Sequence, residues 1–219
     1  MLQLHYFPSN ASITPHILLE EIGVPFELKL VDRKNAAHKT PEYLKLNPNG
    51  LIPVLVDGDL VLYETAAIAL HLVDTHPSAN LAPPLGTSER AHFYKWLVWL
   101  TNTLQASLIL YFYPERYVHE GNTAAAAELK DNIQKKIGGY LQQLDDQLAS
   151  HGKPWILGEH YTAVDVYTFM LCRWTRVFTG EAAKPARDYP NLGAFLQRML
   201  ARPAVQRAIA TEKLQAPLV

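Results

Sequence analysis

The chain is predicted to fold as an α/β domain of order β-α-β then β-β-α, followed by an all-α helical bundle domain. Three observations predict this. Short apolar runs alternate with helical periodicity over the first third. Two such runs, IPVLV and LVLY, flank Asp57-Gly58, a strong signal for an antiparallel hairpin. Beyond the proline- and glycine-bearing stretch THPSANLAPPLGTS, which reads as a linker, the apolar residues keep helical spacing and no convincing strand occurs. The expected boundaries are 1–77 for the first domain and 88–219 for the second.

Taken in order, LQLHYF is a short strand. Ile13, Ile17, Leu18 and Ile22 then share one helical face, and Gly23 with Pro25 supplies the stop. Pro15 fits this helix only in its first turn, where amide donors are free in any case. FELKLV alternates as a second strand, and PEYLKL is a short helical turn. After the hairpin a helix runs from about Thr65 to His76. In the second part, Phe93, Trp96, Leu97, Leu100 and Leu104 lie on one helical face. Leu129, Ile133, Ile137, Tyr140, Leu141, Leu144 and Leu148 lie on another, closed by Gly152. Gly138-Gly139 inside that helix costs about 1 kcal/mol per glycine against alanine, so a close helix crossing or a kink is expected there. Thr162 to Asp165 forms a capping box, with Tyr161 and Val166 placed to staple it. Val164, Tyr167, Leu171 and Trp174 then run down the expected buried side.

The bulk numbers narrow the function. A chain of 219 residues accommodates two small domains. With 48% hydrophobic and 19% charged residues it is globular. A net charge of −1 without a basic stripe argues against nucleic acid or an anionic membrane as partner. The one cysteine, Cys172, rules out an internal disulfide framework and a CxxC pair, and its place between Leu171 and Trp174 reads as a buried, inert thiol. No run approaches the roughly 18 apolar residues of a membrane span. The start MLQLHYFPSN lacks a secretory pattern, so a cytoplasmic location is expected.

With NPNGLIPVL and YETAAI in the first part and TAVDVYTF in the second, the whole chain resembles the soluble glutathione transferases. PHILLEEIGVPFEL is similar to the bacterial beta class, and HKTPEYLKLNPNG to delta/theta-like members. The resemblance implies a thioredoxin-like first domain and glutathione as cosubstrate, with no other cofactor and no metal. It also implies a small hydrophobic electrophile and a homodimer. Glutathione offers an amino-acid head, a central thiol and a glycine carboxylate tail. Glu64-Thr65, where a strand meets a helix, suits the head: the helix start and the Thr65 hydroxyl for its carboxylate, Glu64 for its ammonium. An ordinary N-cap at Thr65 is the plainer alternative. The family pattern puts a cis bond at Ile52-Pro53 and pairs the Ile52 N–H and C=O with the cysteinyl unit as an added strand would. His38 falls where delta/theta-like members hold the tail carboxylate, with Lys34 and Lys39 nearby.

The turn FPSNASITPHI is the expected thiol site. A cysteine-type thiol has a pKa near 8.5. Lowering it by about two units takes roughly 2.7 kcal/mol of preferential thiolate stabilisation. A helix N-terminus and one donor can supply that order. Yet three residues past Pro8, where beta-class members carry cysteine and delta-like members serine, this chain has Ala11. Three replacements stand open: Ser12, through its hydroxyl or N–H; Tyr6, since Tyr-Phe-Pro resembles the catalytic-tyrosine turn of mammalian-type classes; and Asn10, through its amide. For the electrophile pocket the candidates are Gln105, near where beta-class members place a histidine, and the aromatics Tyr111, Tyr113 and Trp174. Transfer of glutathione to an electrophile is the expected activity. A glutathione-dependent disulfide or peroxide reductase and a non-catalytic ligand-binding protein are the alternatives. Ala11 favours the last of these, while Glu64, Thr65, Ile52-Pro53 and His38 favour an enzyme.

Overall fold

The computed structural model describes residues 1–179 and 182–219. By contact the chain forms two compact units, residues 1–82 with 200–215, and residues 83–199 with 216–219.

The first unit is built on a four-stranded mixed sheet. Strands β1 (Leu2–Tyr6), β2 (Phe26–Leu30), β3 (Val54–Asp57) and β4 (Leu60–Tyr63) lie in the order β2-β1-β3-β4. β1 pairs parallel to β2, with Leu4 opposite Leu28, and antiparallel to β3, with Leu4 opposite Leu55. The parallel pair needs a crossover, and helix α1 (Ile13–Ile22) supplies it. β3 turns into β4 one residue later than the Asp57-Gly58 reading places it: Asp57 pairs with Leu60, so the two-residue loop is Gly58-Asp59, and Gly58 at φ 58 takes its first position, where glycine is favoured. Helices α2 (Pro41–Leu46) and α3 (Thr65–Thr75) complete the β-α-β, β-β-α order. Leu4, Ile17, Leu18, Val54, Leu55, Ile68 and Leu72 are fully buried, and each is worth roughly 1.5–3 kcal/mol of transfer free energy. A second small cluster of Val31, Tyr43, Ile52 and Val54 packs beneath α2.

Helix α1 is buried from Ile13 through Leu19, wider than the single face expected. The reason is α9 (Pro203–Thr211), which packs against it within the first unit. Arg202 bonds Glu21 through Nε at 2.6 Å and Nη2 at 3.0 Å, and Arg207 pairs with Glu20. By contact the last helix thus groups with the first unit.

The second unit contains α4 (Ser88–Trp99), α5 (Ala106–Phe112), α6 (Thr123–His151), α7 (Ala163–Trp174) and α8 (Pro190–Leu200). A π-helical stretch, Leu100–Gln105, joins α4 to α5. Phe93, Trp96, Leu97, Leu100 and Leu104 are all buried, as their spacing predicted. Helix α6 is continuous, and Gly138 serves a close approach of a different kind from a helix crossing. A Cβ there would lie 3.1 Å from the Ala182 carbonyl oxygen and 3.2 Å from Ala183 Cβ, while Gly139 has open space. The capping box of α7 is formed. Asp165 accepts from Thr162 N at 2.8 Å and from Ile156 N at 2.9 Å. Burial pushes its carboxyl up to about 7 against the pull of those donors. Helix α7 is buried on every side from Ala163 to Arg173, and Trp174, expected on the buried side, is only half-buried. Cys172 is 1% exposed, and burial pushes its thiol well up.

Candidate active site

The turn from β1 into α1 spends most of its polar groups on itself. Ser12 is fully buried. Its hydroxyl accepts from Phe7 N at 3.2 Å and donates to Phe7 O at 3.1 Å, so its one proton is committed. The Ser12 hydroxyl therefore staples the turn shut and is unavailable as a thiolate donor. This corrects the expectation for that side chain. The backbone tells a different story. Asn10 N reaches Phe7 O, Ala11 N reaches Asn10 Oδ1, Ile13 N reaches Asn10 O and Thr14 N reaches Ala11 O. Among the described residues, the Ser12 N–H is the one amide of this stretch with no acceptor, at the start of a helix that no side chain caps. Asn10 uses its carbonyl oxygen within the turn, which leaves its amide nitrogen as the remaining donor. Tyr6, half-buried at the end of β1, stacks edge-on against His16 with ring centroids 6.3 Å apart. Burial, then the charge of Glu212, raises its hydroxyl above the ordinary tyrosine range, so it keeps a proton to donate.

The turn from β4 into α3 is the reverse. Glu64 is exposed and sits at φ 74, ψ 115, a left-handed conformation rare for a residue with a side chain. Such outliers persist where surrounding structure enforces them, often at ligand sites. No side chain caps α3, so the orphan amides of its first turn are left for an anion. Thr65 is 5% exposed, and its hydroxyl makes no hydrogen bond among the described residues.

Between these turns, Ile52–Pro53 is cis and both residues are buried. Ile52 precedes the ladder, which begins at Val54. The preceding carbonyl, Leu51 O, is held by Tyr43 Oη at 2.8 Å and Asn47 Nδ2 at 2.9 Å. Gly50, at φ 59, lets this loop pass beside His38: a Cβ there would lie 2.8 Å from the His38 carbonyl oxygen. His38 is half-buried with Nδ1 enclosed and unbonded. Burial, then the charges of Lys39 and Arg33, lower it from its ordinary value.

The four pocket candidates all lie in the second unit. Gln105 Oε1 accepts from the buried Tyr167 hydroxyl, which orients the amide and leaves Nε2 as its donor. Tyr111 is 8% exposed, packed on Phe178 with centroids 4.7 Å apart and covered by Lys130 Nζ at 4.9 Å. It is a core residue, a correction to its place among pocket candidates. Tyr113 carries Arg116 over its ring at 3.9 Å, and half-buried Trp174 meets Phe112 edge-on at 6.4 Å.

One group escaped the sequence reading. Glu212, just past α9, has a fully buried carboxylate that accepts from Ser9 N at 3.1 Å and lies 2.9 Å from His16 Nδ1. Nothing in ATEKLQAP sets this glutamate apart from a solvated one.

Comparison with known proteins bears on the family. Residues 2–74 match the family model "Glutathione S-transferase, N-terminal domain", and residues 111–212 match "Glutathione S-transferase, C-terminal domain". Glutathione S-transferase GST-4.5 of Xanthomonas campestris pv. campestris is 31% identical, over 97% of this chain and 100% of its own length. The glutathione S-transferase structure from Xylella fastidiosa superposes with a TM-score of 0.82 at 30% identity, covering 98% of this chain and 100% of its own. That of a sphingomonad enzyme complexed with glutathione gives 0.80 at 28% identity, covering 97% and 100%. From the sheet order through the capped α7 to these full-length matches, the chain belongs to the glutathione S-transferase family.

Proposed function

We propose that the protein binds glutathione, ionises its thiol at the start of α1, and conjugates it to a small hydrophobic electrophile. The observation that carries this reading is the unpaired Ser12 N–H at the head of α1. There a backbone donor and the positive helix end meet, and together they stabilise a thiolate without a catalytic side chain at Ala11. Glu64 and Thr65 take the amino-acid head, Ile52 the cysteinyl backbone beside Pro53, and His38 the glycine carboxylate. Because His38 is held below its ordinary value, it meets that carboxylate at neutral pH as a neutral N–H donor. Tyr6 and the Asn10 amide are further donors to the thiol. Gln105 Nε2, Tyr113 and Trp174 border the electrophile.

Ala11 leaves this turn without a thiol, so a reductase built on it uses the glutathione sulfur alone. Calorimetry with glutathione, then turnover of a chloronitroaromatic against a hydroperoxide and a disulfide, tests the reading. Binding with chloronitroaromatic turnover is expected. Binding with turnover only of the other two makes it a reductase, and binding without turnover a carrier. We also propose a cytoplasmic homodimer. Leu60 and Val61 on edge strand β4, and Tyr94 and Val98 on α4, are 40% exposed or more and support a subunit contact. Light scattering is expected to give twice 24.6 kDa.

A further inference from the structure

We infer that Glu212 is a positioning residue for the thiol site: its buried carboxylate pins the β1–α1 turn so that the Ser12 N–H faces the ligand. The inference rests on the proposed glutathione site. Both Glu212 and His16 side chains are fully buried. A buried carboxylate is expensive to desolvate, and an apolar pair of similar volume would serve stability as well or better. Its position shows what it does instead. One oxygen accepts from Ser9 N, in the turn, and the other accepts from His16 Nδ1, within α1. Glu212 therefore spans the entry and the first turns of the helix from outside, across 203 and 196 residues of sequence.

Ser9 is the residue of this turn with a left-handed backbone, φ 64. An unpinned non-glycine residue favours the negative-φ regions, and a flip there would rotate the peptide planes that follow. The turn thus has two fastenings. The Ser12 hydroxyl closes it across Phe7, and Glu212 holds Ser9 from α9. Between them the Ser12 amide is left without an acceptor among the described residues. The charged and titratable groups around Glu212 are His16, Tyr6 beside the His16 ring, and Glu20, whose Oε1 lies 4.0 Å from His16 Nε2.

The test is the pH titration of the glutathione thiolate absorbance on the full chain, with parent, Glu212→Ala, Glu212→Asp and Glu212→Gln side by side. Glu212→Ala removes both Glu212 hydrogen bonds, to Ser9 N and to His16 Nδ1, and leaves the Ser12–Phe7 fastening; Glu212→Asp withdraws the carboxylate by one methylene. In both, the acid dissociation constant of the bound thiol is expected to fall about tenfold, as loss of a single charge-directed hydrogen bond would give. Glu212→Gln is expected to restore the parent titration. Its carbonyl oxygen accepts from Ser9 N, and its amide donates to His16 Nδ1 in the other tautomer. A purely electrostatic role predicts the opposite ranking, with Asp near the parent and Gln displaced, and would overturn the inference. If Glu212→Ala fails to fold, Glu212→Asp decides. Superimposable titrations in the parent and in a folded Ala or Asp variant overturn the inference alone. Failure of the parent to bind glutathione in calorimetry overturns the underlying site, and this inference with it.

Discussion

The two strand-to-helix turns of the first unit are built in opposite ways. The β1–α1 turn is rich in hydroxyls and amides, and nearly all are consumed internally. Ser12 bonds Phe7 twice, Asn10 Oδ1 takes Ala11 N, and Glu212 takes Ser9 N. What it leaves without a partner among the described residues is backbone, the Ser12 N–H. The β4–α3 turn has only Glu64 and Thr65, yet no side chain caps its helix, and Glu64 is exposed at φ 74. The contrast teaches that the number of polar side chains in a turn says little about binding. What counts is how many are left after the turn has satisfied its own backbone.

Ser12→Ala should have the largest effect, and on stability. It strips Phe7 N of its acceptor and Phe7 O of its donor, so unfolding free energy should fall by about 2–3 kcal/mol. Denaturant titration checks this. Unchanged stability with a collapsed turnover rate would mean the hydroxyl faces the ligand after all, and the two turns would be alike.

Thr65→Ala should do the reverse. With no described partner for its hydroxyl, stability should stay within about 0.5 kcal/mol, while glutathione affinity falls by about 1–3 kcal/mol because a donor to a charged carboxylate is lost. Calorimetry giving unchanged affinity would remove Thr65 from the site and leave it an ordinary helix start.

The smallest effect concerns His38. Its value in the fold is lowered by burial and by Lys39 and Arg33. Protonation is thus disfavoured in the native state, and stability is lost as pH falls through that lowered value. Binding runs the other way, since a protonated His38 pairs better with a carboxylate. Glutathione affinity should rise about twofold as pH falls from neutral through that lowered value, as expected for an exposed charge pair. His38→Gln should abolish that rise, and a rise that survives the substitution would assign it to another group.

Local chemistry made much of this legible in the sequence. Alternation marked the strands, Asp57-Gly58 located the hairpin to within one residue, and Thr162 with Asp165 announced the start of α7, because each signal acts within a few residues of where it is written. Glu64 and Thr65 stood out at a strand end for the same reason. The fate of the Ser12 hydroxyl was not legible. The sequence shows a donor but not whether Phe7 folds back within 3.2 Å of it. Tyr111 likewise reads as a pocket aromatic until Phe178 and Lys130 are seen to enclose it. The least legible feature was the most distant one. Sequence alone implied only that residues 88–219 are helical, and it did not single out the last helix. That this helix joins the first unit, and that Glu212 reaches Ser9 and His16 about two hundred residues away, was decided by tertiary packing alone, because no local preference distinguishes a carboxylate bound for the core from one bound for water.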